Sequence, residues 1–197
     1  MPRQFSKTRQ AADIGLETPR LRLLITGFEV QSLVTTQEVV EAVDRLPAFH
    51  LEHLREISYE PSLEGNLQLT GGHEGGGSIH HGEYVQRSRK IVLYHFHDRA
   101  LFHQMLFHEI GHHVFFLILN SRIKKRWVTV LHRAAPCITP YAASSPAEDF
   151  AESYAAFVLD PEALQGIPEK YDYMRDAVFS GLPATLKEKI TGDAARQ

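Results

Sequence analysis

Apolar residues recur at three- and four-residue steps between Leu101 and Leu117: Leu101, Phe102, Met105, Leu106, Ile110, Val114 and Leu117. That is the period of a helix with a buried face. It predicts a helix over roughly 99–119, with Asp98 as its N-cap and Asn120-Ser121 at its end. Gly111 costs this helix up to about 1 kcal/mol relative to Ala, so the close approach of another element is expected there.

The same reading places elements on either side. Leu21-Arg22-Leu23-Leu24-Ile25-Thr26 alternates as a strand with one buried face and ends at Gly27. Val39, Val40, Val43 and Leu46 have helical spacing, and Thr35 with Glu38 forms a capping box for a helix over about 37–46. A second helical piece, about 48–54, leads into an extended segment at 57–60. Residues 64–83 are rich in Gly and His and read as a flexible loop or wide hairpin turn. Glu83 to Val85 and Lys90 to Phe96 form a strand pair, the second dense in β-formers. Downstream, helices are expected over about 122–133, from Pro146 at a first helical position to Leu159, and over about 168–179. Residues 134–145 make a Pro-containing linker. Strands followed by helices give an α+β class: one domain over 19–182, a flexible arm over 1–18 and a tail over 183–197.

Composition adds exclusions. A chain of 197 residues can bury a core without disulfides, and its single cysteine, Cys137, rules out an internal disulfide framework. Cys137 reads as structural. The net charge of −3 gives no footprint for nucleic acid. Lys124-Lys125-Arg126 reads as a solvated surface. No signal peptide or membrane span is visible, since the longest apolar run, Val114 to Leu119, is too short to cross a bilayer. A monomer in a reducing compartment such as the cytoplasm fits these features, as does export within a longer protein.

The chemistry concentrates in His108-Glu109-Ile110-Gly111-His112-His113. His108 and His112 are i and i+4 on one helix face, so both imidazoles can reach one metal ion, with Glu109 beside them. Twelve histidines make a chance match a real alternative, so a third ligand is the test. A Gly at 115 and a His at 118 would complete one known pattern, but the chain has Phe115 and Ile118. No Asp or Glu occurs from His113 to Ala147; the first acids are Glu148, Asp149 and Glu152. Glu148 and Glu152 share a helix face and repel unless a cation or hydrogen bond lies between them. Glu148 is the favoured ligand, with Glu152 accepting a hydrogen bond from a ligand histidine. The reverse assignment stays open, as does a plain capping box in Ser145-Pro146-Ala147-Glu148. Asp149 and Asp160 fall off that face. His113 is assigned to the surroundings of the ligands or to packing.

His108-Glu109-Ile110-Gly111-His112 followed by Glu148-Asp149-Phe150-Ala151-Glu152 resembles the zinc metallopeptidases related to anthrax toxin lethal factor, which include the Pro-Pro endopeptidases. The match covers about residues 85–180. The resemblance implies a zincin-like fold of gluzincin type, with one catalytic zinc held by His108, His112 and Glu148. It implies a zinc-bound water with Glu109 as general base, and a catalytic tyrosine seven residues before Glu148, at Tyr141. His132 is the runner-up for that oxyanion role. It also implies a cleft bordered by an edge strand, here 90–96, along which an extended protein or peptide substrate pairs. The alternative is a catalytically silent metal-binding module, regulatory or protein-interacting, of the same fold.

Overall fold

The computed structural model describes residues 16–17, 22–61 and 81–180. They build a mixed α+β structure. Five short strands, β1 (Leu16–Glu17), β2 (Leu24–Thr26), β3 (Glu56–Tyr59), β4 (Gly82–Val85) and β5 (Lys90–Leu93), form one sheet in the order β1-β2-β3-β5-β4. β2, β3 and β5 run parallel, and β1 and β4 close the two ends antiparallel. Leu16–Glu17, within the arm expected over 1–18, pair with β2. The loop assigned to 64–83 lies outside the described residues up to position 80, as do residues 1–15 and the tail.

One strand assignment is corrected. The segment 90–96 was expected to border the cleft as an edge strand. Instead β5 has β3 on one side and β4 on the other, so its main-chain groups are already paired. The edge beside the site is β4. The strands themselves carry the reason: Ile91, Val92 and Leu93 are all buried, as in a strand covered on both faces, whereas every residue of β4 is half-buried.

The described residues form six α-helices of five residues or more, all but α5 at places the sequence pattern marks: α1 (Thr36–Asp44), α2 (Arg99–His113), α3 (Ser121–Arg126), α4 (Pro146–Leu159), α5 (Pro161–Gln165) and α6 (Pro168–Tyr173). The expected capping box of α1 is complete: the Thr35 hydroxyl accepts from the Glu38 N–H, and Glu38 accepts from the Thr35 N–H at 2.7 Å. Asp98 caps α2 by accepting from the Leu101 N–H at 2.8 Å. α2, α3 and α6 each run on into a wider π-turn, at Val114–Ile118, Trp127–Leu131 and Met174–Phe179. The 48–54 piece is a 3-10 turn at Ala48–Leu51, and α5 lies within a stretch read from the sequence only as a stop.

α2 is apolar on more than one side because it lies between the sheet and α4. Successive four-residue stripes face different neighbours. Phe102, Leu106, Ile110 and Val114 are fully buried, with Phe102 against Phe28 and Phe96. Phe107, Gly111 and Phe115 turn to α4, where Phe115 meets Phe150 and a Cβ on Gly111 would come within 2.9 Å of the Ala151 Cα. This is the close approach anticipated for Gly111. His108, His112 and Phe116 form the stripe left for the cleft. α4 is held at its start by Trp127, whose indole N–H donates to the Pro146 carbonyl at 3.0 Å and whose ring packs on Phe150.

Candidate metal centre

The two central helices bring together the residues singled out by the motif. On α2, His108 and His112 project their Nε2 atoms toward α4. The Glu148 Oε2 lies 3.1 Å from the first and 3.2 Å from the second. One donor atom from each of the three residues falls within 4.8 Å of the others. His108 is held from behind: its Nδ1 lies 2.7 Å from the Glu152 Oε1. This contact fixes the ring and, with the proton on Nδ1 donated to the carboxylate, leaves the Nε2 lone pair facing Glu148. Glu148 and Glu152 thus occupy opposite nitrogens of one imidazole.

The cap of α4 shows which half of the S-x-x-E pattern is used. Ser145 Oγ accepts from the Glu148 N–H at 3.1 Å. The Glu148 carboxylate turns to the histidines rather than back to the Ser145 N–H, so the box is half formed.

These donors fit a zinc ion. The Glu148 Oε2 is buried and has no aligned hydrogen bond, although two imidazole nitrogens stand beside it. Without a metal, a proton on the imidazole offsets the Glu148 charge; with that proton displaced, three acceptor atoms converge on one point and could hold a cation. Two imidazole nitrogens and one carboxylate oxygen are a zinc-type set that leaves a fourth position open. The charges respond strongly to one another. Burial alone would lower the His108 pKa, but Glu148 and Glu152 overcome it and push it up to about 10. Burial would raise Glu148, yet His108 and His112 hold it well below the usual carboxylate range.

Glu109 lies next to this triad. Its carboxyl is buried, which pushes its pKa up against the pull of His108 and His112, and it accepts a hydrogen bond from the Tyr84 main-chain N–H of β4. A cleft of about 450 Å³ opens over these groups, lined by Gly82, Glu83 and Tyr84 of β4, by His108, Glu109, His112 and Phe116 of α2 and its π-turn, and by Tyr141, Ser145, Ala147 and Glu148. Phe116 stacks on His112, with ring centres 6.0 Å apart. Tyr141, on the 3-10 turn Tyr141–Ser144, is exposed at 40% and its ring centre is 6.0 Å from that of His108. Burial of its hydroxyl and the Glu148 charge raise its pKa to about 12, so it stays a donor at neutral pH.

His132 does not join this group. It lies outside the cleft lining, and its Nδ1 meets Asp149 Oδ2 at 3.1 Å. The structure therefore does not bring the reserve candidate for the oxyanion role to the cleft; His132 opens the short helical turn His132–Ala134 that follows the π-turn after α3. His113 packs edge-on against Tyr84 and meets the Glu52 carbonyl at 3.1 Å through Nε2. Asp149, set aside because it falls off the Glu148 face, is wholly buried in an ion pair with Lys170 at 2.5 Å. Only its adjacency to Glu148 hinted at a role. No family model matches the chain, and no curated protein matches it. No helix among the described residues is long and apolar enough to cross a membrane.

Proposed function

We propose that the chain is a zinc-dependent endopeptidase with a zincin-like fold, similar in its site to the lethal factor-related metallopeptidases. The observation that carries this reading is the meeting of His108 Nε2, His112 Nε2 and Glu148 Oε2 beside a buried, unligated Glu109. A structural metal site has no use for that extra carboxylate, whereas a hydrolytic one needs a base there.

Zinc held by His108, His112 and Glu148 would supply a Lewis acid for the scissile carbonyl and lower the pKa of an attacking water toward about 7. Glu109 is the general base. It takes one proton as the water oxygen bonds to the carbonyl carbon, then passes that proton to the departing amine nitrogen as the C–N bond breaks. The raised pKa of its buried carboxyl suits both halves of that transfer. The Tyr141 hydroxyl donates a hydrogen bond to the carbonyl oxygen as negative charge develops there. Glu152 keeps His108 oriented through Nδ1.

Substrate binding falls to β4. The register with β5, continued by the bond from the Tyr94 N–H to the His81 carbonyl, makes 81, 83 and 85 the hydrogen-bonded positions. The main-chain groups of Gly82 and Tyr84 therefore point outward over the cleft edge; the Tyr84 N–H already donates to Glu109, which leaves Gly82 and the Tyr84 carbonyl for an extended peptide to pair with. Metal analysis combined with cleavage of a peptide library tests the proposal. Glu109→Gln should retain stoichiometric zinc and lose cleavage. A metal-loaded wild-type chain that cleaves nothing, or a Glu109→Gln variant as fast as wild type, would overturn it.

A further inference from the structure

A second group of donor atoms lies at the first turn of α4, outside the cleft lining. His132 closes the α3 segment, Cys137 sits in the loop that follows, and Asp149 is the first residue after Glu148. One atom of each falls within 4.8 Å of the others. Asp149 is wholly buried. Its Oδ1 accepts from Lys170 Nζ at 2.5 Å, and Lys170 is wholly buried too. Its Oδ2 lies 3.1 Å from His132 Nδ1. None of these residues has a part in the hydrolysis proposed above.

Lys170 needs one acceptor for its charge, and Asp149 Oδ1 supplies it. The second carboxylate oxygen, the imidazole and the thiol are more than that ion pair requires. A nucleophilic Cys–His pair does not fit, because the His132 Nδ1 is engaged by Asp149 and Cys137 opens on no cleft residue. The donor set is one nitrogen, one sulfur and one oxygen. Calcium and magnesium take oxygen ligands, so a thiol and an imidazole argue against both; zinc accepts all three atom types.

We propose that His132, Cys137 and Asp149 form a second zinc site, completed by water and distinct from the His108–His112–Glu148 centre. Binding replaces the Cys137 S–H bond by a sulfur–zinc bond, and the proton leaves to solvent. The thiolate and the carboxylate offset most of the charge of the ion, one positive charge remaining because Asp149 also serves Lys170, which holds it in place through its other oxygen. The ion ties the loop that leads to Tyr141 onto the turn that carries Glu148. It therefore braces two residues of the cleft without touching substrate.

Cobalt(II) titration of the full chain tests this independently of any peptidase activity. Thiolate ligation gives a sulfur-to-cobalt charge-transfer band in the near ultraviolet, which the nitrogen and oxygen donors of the first centre do not give. Two equivalents of cobalt and that band are expected for the wild type. His112→Ala should keep the band while weakening the other site. Cys137→Ser and His132→Ala should each lose the band and bind one equivalent, with circular dichroism unchanged. A wild-type chain that binds cobalt without the thiolate band overturns the second site, and because this reading needs no variant, a poorly folding mutant cannot obscure it. Loss of peptide cleavage with the band intact would count against the hydrolytic reading alone.

Discussion

Gly111→Ala sets two effects of opposite sign against each other. In an exposed helix the change stabilises by up to about 1 kcal/mol, because alanine gives up less backbone freedom on folding. At position 111 the new methyl would stand 2.9 Å from the Ala151 Cα, 3.1 Å from the Tyr154 Cβ and 3.3 Å from the Ala151 carbonyl oxygen. Two of these atoms belong to the α4 main chain, and the third is the stem of a wholly buried tyrosine. None is the free tip of a flexible side chain, so relief requires the helices to separate. Overpacking of this kind costs about 1–3 kcal/mol, which leaves a net loss of about 1 kcal/mol. Separation of α2 from α4 also draws Glu148 away from the two histidines, so zinc affinity should fall with stability. Urea denaturation of the metal-free chain and a chelator competition measure the two effects. A Gly111→Ala variant more stable than wild type would mean that helix propensity wins and that the α2–α4 approach is not tight.

Other outcomes follow from single contacts. Glu152→Gln should lower zinc affinity by about 10- to 100-fold while the fold persists, as expected for a group that orients a ligand histidine, and a chelator competition reads it. Thr35→Ala removes the hydroxyl half of the α1 capping box and should cost about 1 kcal/mol in denaturant unfolding. His50 is buried between the Tyr154 hydroxyl and the Val178 carbonyl, and burial lowers its pKa to about 4 from 6.5. The unfolded chain binds this proton between those values and the folded chain does not. Stability should therefore rise with pH from about 4 to 6.5 and level off above, with a slope approaching about 1.4 kcal/mol per pH unit for this group. Urea midpoints across that range should flatten in His50→Gln, and an unchanged slope would contradict the assignment.

The helices were legible because their signals are local. A cap, a first-turn proline and a four-residue apolar step fixed α1 and α4 to within a residue or two, and α2 likewise once its π-turn to Ile118 is counted with it. The strand order was not legible in the same way. Which strand lies at an edge depends on pairings between distant segments, and the dense β-formers of 90–96 suggest a cleft border to a local reading. Their composition pointed the other way: Ile91, Val92 and Leu93 suit a strand covered on both faces, while Gly82-Glu83-Tyr84-Val85 has the polar content of an edge. The π-turns at the ends of α2, α3 and α6 leave the apolar spacing nearly unchanged, so the period did not reveal them. The Asp149–Lys170 pair spans 21 residues and two helices, and each partner read alone is an ordinary surface charge.

The ligand question was half answered by spacing, and its other half lay in the geometry of a ring. Two carboxylates one turn apart on α4 are equivalent by sequence, since both face α2. They cease to be equivalent once His108 stands between them, because imidazole has two nitrogens that point in different directions. Glu152 meets Nδ1 at 2.7 Å, while Glu148 meets Nε2 at 3.1 Å and also reaches His112. A carboxylate committed to Nδ1 cannot also share an ion with Nε2 of the same ring. The i, i+4 repulsion that marked this pair in the sequence is thus relieved in two ways at once, by a shared histidine between the acids and by a place for a cation beside only one of them.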